Sequence, residues 1–293
     1  MMITRVLTKE DIKAARFIWE TCFPDDEAAF VDYYFKKRTR PEWIMGGFEG
    51  ERLIGTVHML PQTSRFFGLE KPGCFVAGVA TLPEERGRGV AENMLQAAFA
   101  AMLERGFSYT TLKPFSEKLA RYYERFGYEP FACRDEYQLS LSDFSKVEDV
   151  PVHVPDASEL LSIYTAFAAR YNGMRVRQEA DLSLLIEELS TYESALLSDG
   201  KTYAACYLKD GEAHAFELAG EHPEPLLKVL CKQYGSVHAA VSAGTPLLQG
   251  KSFSREPFNM FKVLDEKAFL QGLPVSIAEL LEQKETNYSF EVY

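Results

Sequence analysis

The residues of this chain that could do chemistry begin with a run of arginines and glycines at residues 86–91, Arg-Gly-Arg-Gly-Val-Ala. The run follows residues 74–81, a continuous apolar and small stretch that predicts a strand buried on both faces. It leads into a predicted helix over residues 90–105. The first N–H groups of a helix lack intrahelical acceptors, and the helix dipole adds partial positive charge there. The run therefore indicates a site for a phosphate or a pyrophosphate.

The small residues of this run, Gly87, Gly89 and Ala91, would let a ligand approach the backbone, and Arg86 and Arg88 add positive charge. The Walker A and dinucleotide-binding fingerprints do not match, because the run holds neither Gly-Lys-Ser/Thr nor Gly-x-Gly-x-x-Gly. Taken alone, a run of this kind more often does no more than start a helix.

A second pattern lies at residues 120–128, Ala-Arg-Tyr-Tyr-Glu-Arg-Phe-Gly-Tyr, a short predicted helix that ends in an aromatic and glycine turn. Together the two patterns resemble those of the Gcn5-related N-acetyltransferase (GNAT) family. That family carries Arg/Gln-x-x-Gly-x-Gly/Ala after its fourth strand and Tyr-x-x-x-Gly-Phe/Tyr on the helix after its fifth. The first is matched by Arg86, Gly89 and Ala91, and the second by Tyr123, Gly127 and Tyr128, with Ala120 before them. The resemblance covers roughly residues 1–142.

This resemblance implies acetyl-CoA as the co-substrate. The pyrophosphate would rest on the backbone of residues 86–91, which include Val90, and the pantetheine arm would pair with the open strand edge at Val79, Ala80 and Thr81. Tyr123 would be the general acid, whose phenol protonates the thiolate expelled when an amine attacks the thioester. The alternative for Tyr123 is core packing, which suits its aromatic neighbours better.

The general base stays open at this stage. His58 and Glu42 are candidates by location only, since a lone histidine on a strand is more often packed or solvated than catalytic. The whole chain is also similar to a narrower group, the enhanced intracellular survival (Eis) acetyltransferases, in which the carboxylate of an aromatic last residue acts as the base. Tyr293 is aromatic and last here, but too few residues remain for the third, sterol-carrier-like domain of that group. Tyr293 is therefore a hypothesis, with a solvated tail as its alternative.

The elements that must position these residues alternate between helices and strands, and they include predicted strands at residues 108–112 and 137–141. An acidic, proline-marked connector follows at residues 145–155. Beyond it, helix, helix, three-stranded meander, helix and strand repeat the order of the first half. We predict an α/β fold with an α+β mixed sheet and tandem GNAT-like domains. The catalytic one spans residues 1–145 and a degenerate copy, with Glu221 before its helix in place of the phosphate-binding run, spans residues 156–293.

Length and composition agree with this prediction. The chain has 293 residues, 46% hydrophobic and 26% charged, which indicates two soluble globular domains. Its five scattered cysteines predict buried thiols in a reducing cytoplasm rather than a disulfide or zinc framework, and no metal is expected. No apolar run of about 20 residues and no leader-like core is found, so we expect no membrane span.

The net charge of −11 argues against nucleic acid as a partner. Residues 1–150 hold 20 basic and 23 acidic side chains and residues 151–293 hold 12 and 20, so most of the acidity belongs to the second half. If that half faces the cleft, it favours a polycationic acceptor such as an aminoglycoside, a polyamine or a lysine-rich peptide. A solvated acidic face is the plainer explanation.

The sequence thus predicts an acetyl-CoA-dependent N-acetyltransferase that acts on a primary amine of a small molecule or peptide, by direct attack in a ternary complex. The Eis resemblance also favours a homo-oligomer. The alternative is a non-catalytic acyl-CoA-binding or sensing module. Such a module would keep the same phosphate-binding run and would differ only in turnover.

Overall fold

The computed structural model describes residues 2–243, 247–248, 250–283 and 286–289. Within these ranges all eleven strands join one mixed sheet in the order β1-β2-β3-β4-β5-β11-β6-β10-β9-β8-β7. The strands are β1 (Met2–Val6), β2 (Ile44–Glu49), β3 (Arg52–Phe66), β4 (Leu69–Thr81), β5 (Tyr109–Leu112), β6 (Glu129–Ser140), β7 (Ser194–Ser198), β8 (Tyr203–Lys209), β9 (Glu212–Ala219), β10 (Ser236–Ser242) and β11 (Ser254–Val263).

The helices are α1 (Ile12–Cys22), α2 (Ala28–Tyr33), α3 (Val90–Glu104), α4 (Glu117–Glu124), α5 (Ala157–Ala168), α6 (Glu179–Leu189), α7 (Glu224–Tyr234), α8 (Glu266–Leu270) and α9 (Ile277–Glu282). In the first half, α3 packs on one face of the sheet and α1 on the other. Successive strand side chains point to opposite faces, so Met45 packs with α3 and its neighbour Ile44 packs with α1. No helix among the described residues is both long enough and apolar enough to cross a membrane. The predicted mixed α/β architecture is confirmed.

Strand β6 begins eight residues before the start that the sequence predicted. Its early part contains Arg134, Asp135 and Glu136, which conceal the apolar pattern expected of a central strand. The structure nevertheless buries Arg134 and Asp135 almost completely, with β11 on one side of the strand and β10 on the other. A charged residue on a central strand needs a partner of opposite charge. Asp135 has one, because it binds the guanidinium of Arg255 at 2.7 Å.

Strand β11 is one of the elements that the sequence left unassigned. It comes from the second half of the chain, yet it lies between β5 and β6 of the first half and pairs antiparallel with both. Strand β10, also from the second half, pairs with the other edge of β6. The units predicted at residues 1–145 and 156–293 therefore share one continuous sheet, and the boundaries between them stay a prediction.

An aromatic cluster fixes β11 in this position. The ring of Phe261 stacks on Tyr109 of β5 with centroids 5.3 Å apart and on Phe131 of β6 with centroids 5.0 Å apart. Phe269 of α8 meets the same ring at 5.3 Å, and Phe66 of β3 meets it at 5.8 Å. Aromatic pairs at these distances add to the gain from burying apolar surface. The cluster thus joins both halves of the chain through side chains as well as hydrogen bonds.

We expect Phe261→Ala to lower the free energy of unfolding by about 3–5 kcal/mol, because it empties the centre of this cluster. Urea unfolding followed by far-UV circular dichroism measures the change. The matched control is Phe115→Ala, whose side chain is 95% exposed and should change stability by no more than about 0.5 kcal/mol. A small loss in the Phe261 variant would show that β11 does not depend on this contact.

Candidate functional site

Strands β4 and β5 separate soon after they meet. They pair in parallel only at Gly73–Phe75 of β4, opposite Tyr109–Thr111 of β5. From residue 76 to residue 81, β4 stays hydrogen-bonded to β3 on one side and has no strand partner on the other among the described residues. The predicted edge residues Val79, Ala80 and Thr81 lie on this free stretch. Unpaired N–H and C=O groups on such an edge can bind an extended ligand as a further strand would.

A bulge at Gly78 turns this free edge. The register between β3 and β4 shifts between Thr56 and His58, and Gly78 has a φ of +51°. A Cβ at this position would lie 2.4 Å from the indole ring of Trp19, so only glycine combines this backbone with this packing. Bulges increase the local twist of a strand and redirect its groups. The bulge therefore sets the direction of residues 79–81.

The start of α3 faces the same space. Gly89 caps the helix with a φ of +75°, and no side chain caps the free N–H groups of the first turn. A Cβ built on Gly89 would meet only the amide nitrogen of Asn93, at 3.9 Å, so the space in front of the helix end is open. Free N–H groups and the helix dipole together attract an anion.

A groove of about 640 Å³ brings these parts together. It is lined by the following residues: Cys22, Phe23, Val79, Ala80, Thr81, Glu85, Arg86, Gly87, Gly89, Val90, Ala91, Glu92, Leu119, Tyr122, Tyr123 and Arg125. Every predicted site residue is in this set except Arg88. The groove thus runs from the free edge of β4 past the start of α3 to helix α4.

The two arginines of the run have different surroundings. Arg86 lines the groove, and its Nε donates to the carbonyl of Thr81 at 3.2 Å. The guanidinium of Arg88 does not line the groove, because it binds Glu49 at 2.8 Å and also Glu85. The buried carboxylate of Glu85 also accepts a hydrogen bond from Arg52 at 2.9 Å. Glu85 and its two arginines therefore fix the loop before α3, a role that the sequence did not indicate.

Tyr123 lies at the α4 side of the groove. Its side chain is only 8% exposed and packs between the rings of Tyr122 and Tyr128, at centroid distances of 5.5 and 5.9 Å. Burial raises the pKa of the Tyr123 phenol above its usual range. Among the described residues no partner accepts or donates a hydrogen bond at its hydroxyl, whereas the hydroxyl of Tyr128 pairs with Thr110. The phenol of Tyr123 is therefore protonated and available to a ligand.

Of the three candidates for a general base, the two within the described residues, His58 and Glu42, do not line the groove. His58 is fully buried among Trp19 and Tyr34, its Nδ1 lies 3.0 Å from the Tyr34 hydroxyl, and burial lowers its pKa to about 3. The structure makes His58 a neutral core residue. Glu42 is exposed in the turn Pro41–Trp43. Tyr293 lies outside the described residues.

A second cavity, of about 320 Å³, lies between the two halves and is called here the central cavity. It is lined by these residues: Lys113, Arg134, Glu136, Glu188, Tyr192, Tyr207, His214, Ala215, Phe216, His238 and Ala240. Its wall on the α6 side includes Glu188, which pairs with Arg38 of the first half at 2.7 Å. No sequence pattern pointed to this cavity, because its lining comes from β6, α6, β8, β9 and β10 and from the segments that follow β5 and α6.

One group of side chains beside the central cavity has the composition of a metal site. Ligand atoms of Glu212, His214 and His238 all lie within 4.8 Å of one another. The two imidazole rings are stacked, however, with centroids 4.5 Å apart and planes 3° from parallel, so their in-plane lone pairs do not converge on one point. Nε2 of His238 also lies 3.0 Å from Glu212. The arrangement is that of a cross-strand ladder.

Comparison with known proteins agrees with this geometry. Residues 4–131 match a family model described as an acetyltransferase (GNAT) domain, and this stretch contains all the predicted site residues. A search of curated proteins by sequence finds no match.

Several solved structures share the fold over most of the chain. A GCN5-related N-acetyltransferase from Kribbella flavida is 19% identical, with a TM-score of 0.74 over 92% of this chain and 72% of that one. A conserved protein of unknown function from Enterococcus faecalis V583, described as a probable N-acyltransferase, is 20% identical, with a TM-score of 0.77 over 92% and 74%. Eis1 from Mycobacterium abscessus is 15% identical, with a TM-score of 0.72 over 92% and 75%. The chain therefore has the fold of these proteins, and its residues 4–131 match the GNAT domain.

Proposed function

We propose that this protein is an acetyl-CoA-dependent N-acetyltransferase that transfers the acetyl group to a primary amine by direct attack in a ternary complex. The observation that carries the proposal is the groove in which the free edge of β4, the open start of α3 and the phenol of Tyr123 meet. The match of residues 4–131 to the GNAT domain supports the same chemistry. A cytoplasmic location, the absence of nucleic-acid binding and a homo-oligomer stay predictions.

Acetyl-CoA is proposed to bind with its negative end at α3. The free N–H groups of the first turn and the side chain of Arg86 supply positive charge for the pyrophosphate. The amide groups of the pantetheine arm can then pair with residues 79–81 of β4, as a short additional strand would. This path leads from the helix end toward Tyr123.

Transfer needs a proton donor at the sulfur. The nitrogen lone pair of the amine attacks the thioester carbonyl carbon, the C–S bond breaks, and the electron pair leaves on sulfur. The hydroxyl of Tyr123 gives its proton to that thiolate, and the proton lost by the amine later restores the phenol through solvent. Because burial raises the pKa of Tyr123, the phenol still carries its proton when the thiolate forms.

We expect Tyr123→Phe to lower kcat by about 10²- to 10⁴-fold while the Kd for acetyl-CoA changes by less than about threefold. Thiol release over a panel of amines measures the first quantity and isothermal titration the second. The matched control is Tyr128→Phe, which removes a buried hydroxyl outside the groove and should leave kcat nearly unchanged. Full activity of the Tyr123 variant would exclude it as the acid. Acetyl-CoA binding by the wild type without thiol release on any amine would favour the sensing module.

We expect Gly89→Ala to raise the Kd for acetyl-CoA at least tenfold, because the new Cβ would project into the space before the helix end. Gly106→Ala at the other end of α3 is the matched control, since Gly106 also has a positive φ, +81°, and open surroundings. Both variants carry a similar backbone strain of about 1–2 kcal/mol. Equal effects on Kd would show that strain, and not the site, is responsible.

A further inference from the structure

Arg134 is a buried cation without a carboxylate partner among the residues that the structure describes. Its side chain is 4% exposed, its Nε donates no hydrogen bond, and one terminal nitrogen donates to the carbonyl of Ser289 at 3.4 Å. Tyr288 is a further polar neighbour, and the carboxylates of Glu136 and Glu217 attract the guanidinium without forming an ion pair with it. Arg177, whose side chain is 9% exposed, is by contrast paired with Glu217 at 2.6 Å. Burial lowers the pKa of Arg134, but a guanidinium remains charged at neutral pH. An unpaired buried charge is costly, so it calls for an anion.

The surroundings of Arg134 in the central cavity favour such an anion. The guanidinium lies 3.3 Å from the ring centre of Phe258, and Nζ of Lys113 lies 4.8 Å from the centre of the same ring. Two carboxylates also line the cavity. That of Glu188 is paired with Arg38, and that of Glu136 has its pKa raised, chiefly by burial. Burial also lowers the pKa of Lys113, and Glu136 attracts both cations. The lining thus has two cationic side chains, Arg134 and Lys113, and one carboxylate, that of Glu136, without an arginine ion pair.

The central cavity is also in a suitable place for the amine acceptor. Lys113 directly follows β5, and Leu112 before it packs with α3 on the groove side of the sheet. Because side chains alternate along a strand, Lys113 belongs to the opposite face. An acceptor there would approach the thioester from the side of the sheet that the cofactor groove leaves free, and Lys113, two residues beyond the last pairing of β5 with β4, is the lining residue nearest to that opening in sequence.

We propose that the central cavity binds the amine acceptor and that Arg134 binds a carboxylate of this acceptor, with Lys113 as a second cation. The inference rests on the proposed function and gives its acceptor a class, an amino acid or a peptide with a free carboxyl group. A guanidinium matches a carboxylate with two parallel hydrogen bonds, which makes it selective for this group. The acidity of the second half can still attract a cationic amine from a distance, while the cavity residues select among those that arrive.

The experiment compares amines that differ only in the carboxylate: L-lysine with cadaverine, L-ornithine with putrescine, and trialanine with its C-terminal amide. We expect the wild type to prefer the carboxylate member by about ten- to a hundredfold in kcat/KM, the range of a charge-assisted hydrogen bond. Arg134→Met should reduce this preference to less than about threefold. The matched control, Arg170→Met, removes a cation that lies over the rings of Phe167 and Tyr171 outside the cavity and should keep the preference.

Titration of the same compounds into the protein saturated with CoA separates this inference from the proposed function. A carboxylate preference in binding that Arg134→Met removes, without any turnover, supports the inference and contradicts the enzyme. Turnover with no preference within any pair supports the enzyme and overturns the inference. The inference is equally overturned if the wild type binds no member of the panel.

Two further measurements distinguish the other roles that Arg134 could have. Replacing an unpaired buried cation by methionine should leave the thermal midpoint unchanged or higher, so a large fall would show a structural role and overturn the inference. Glu291→Gln, combined with amidation of the terminal carboxyl group by ligation of a synthetic peptide, removes both carboxylates that follow Ser289 in sequence without creating a new one. If a carboxylate preference appeared only in this protein, Arg134 would serve the chain's own carboxylate and the inference would be wrong.

Discussion

The early separation of β4 from β5 is the constraint on which the rest of the site depends. A buried strand normally pairs its backbone groups on both sides, and β4 gives up one side from residue 76 to residue 81. Several features act together to hold this opening. Gly78 redirects the strand, Glu85 fixes the loop that follows, and β11 holds the far side of β5. The resulting unpaired groups are polar, oriented and already in place, which is the arrangement that a ligand with its own amides can use.

The sequence predicted those parts of the site that local chemistry decides. The apolar run at residues 74–81 and the periodic helix α3 are visible in single segments, and so is the glycine needed before the helix. The pairing of β11 could not be predicted, because it is set by contacts of Phe261 with rings far away in the chain. The buried side chains of Glu85 and Arg134 were missed for a related reason. In a sequence, a charged residue predicts an exposed position. Its burial can be explained only by a partner distant in the chain or by a cavity, and neither is visible in the sequence.

The second half repeats the order of elements without repeating the open site. The glycine before α7, Gly220, differs from Gly89 in the space that a Cβ atom would have. A Cβ on Gly220 would lie 2.3 Å from the hydroxyl of Thr202, so this glycine serves close packing, whereas the space in front of Gly89 is free. The second half instead contributes walls to the first, through α6 and the strands that line the central cavity. The first half thus contains an open groove, whereas the second half contributes lining residues to the central cavity.

The position of β11 has a consequence for how this chain folds during synthesis. The ribosome releases β5 and β6 early, yet the strand that separates them lies more than a hundred residues later in the sequence. At roughly 5–20 residues per second, the facing edges of these strands wait on the order of ten seconds for their partner. Unpaired strand edges attract other chains during such a delay. The nascent protein must therefore pass through a period in which its first half is synthesised but cannot complete its sheet.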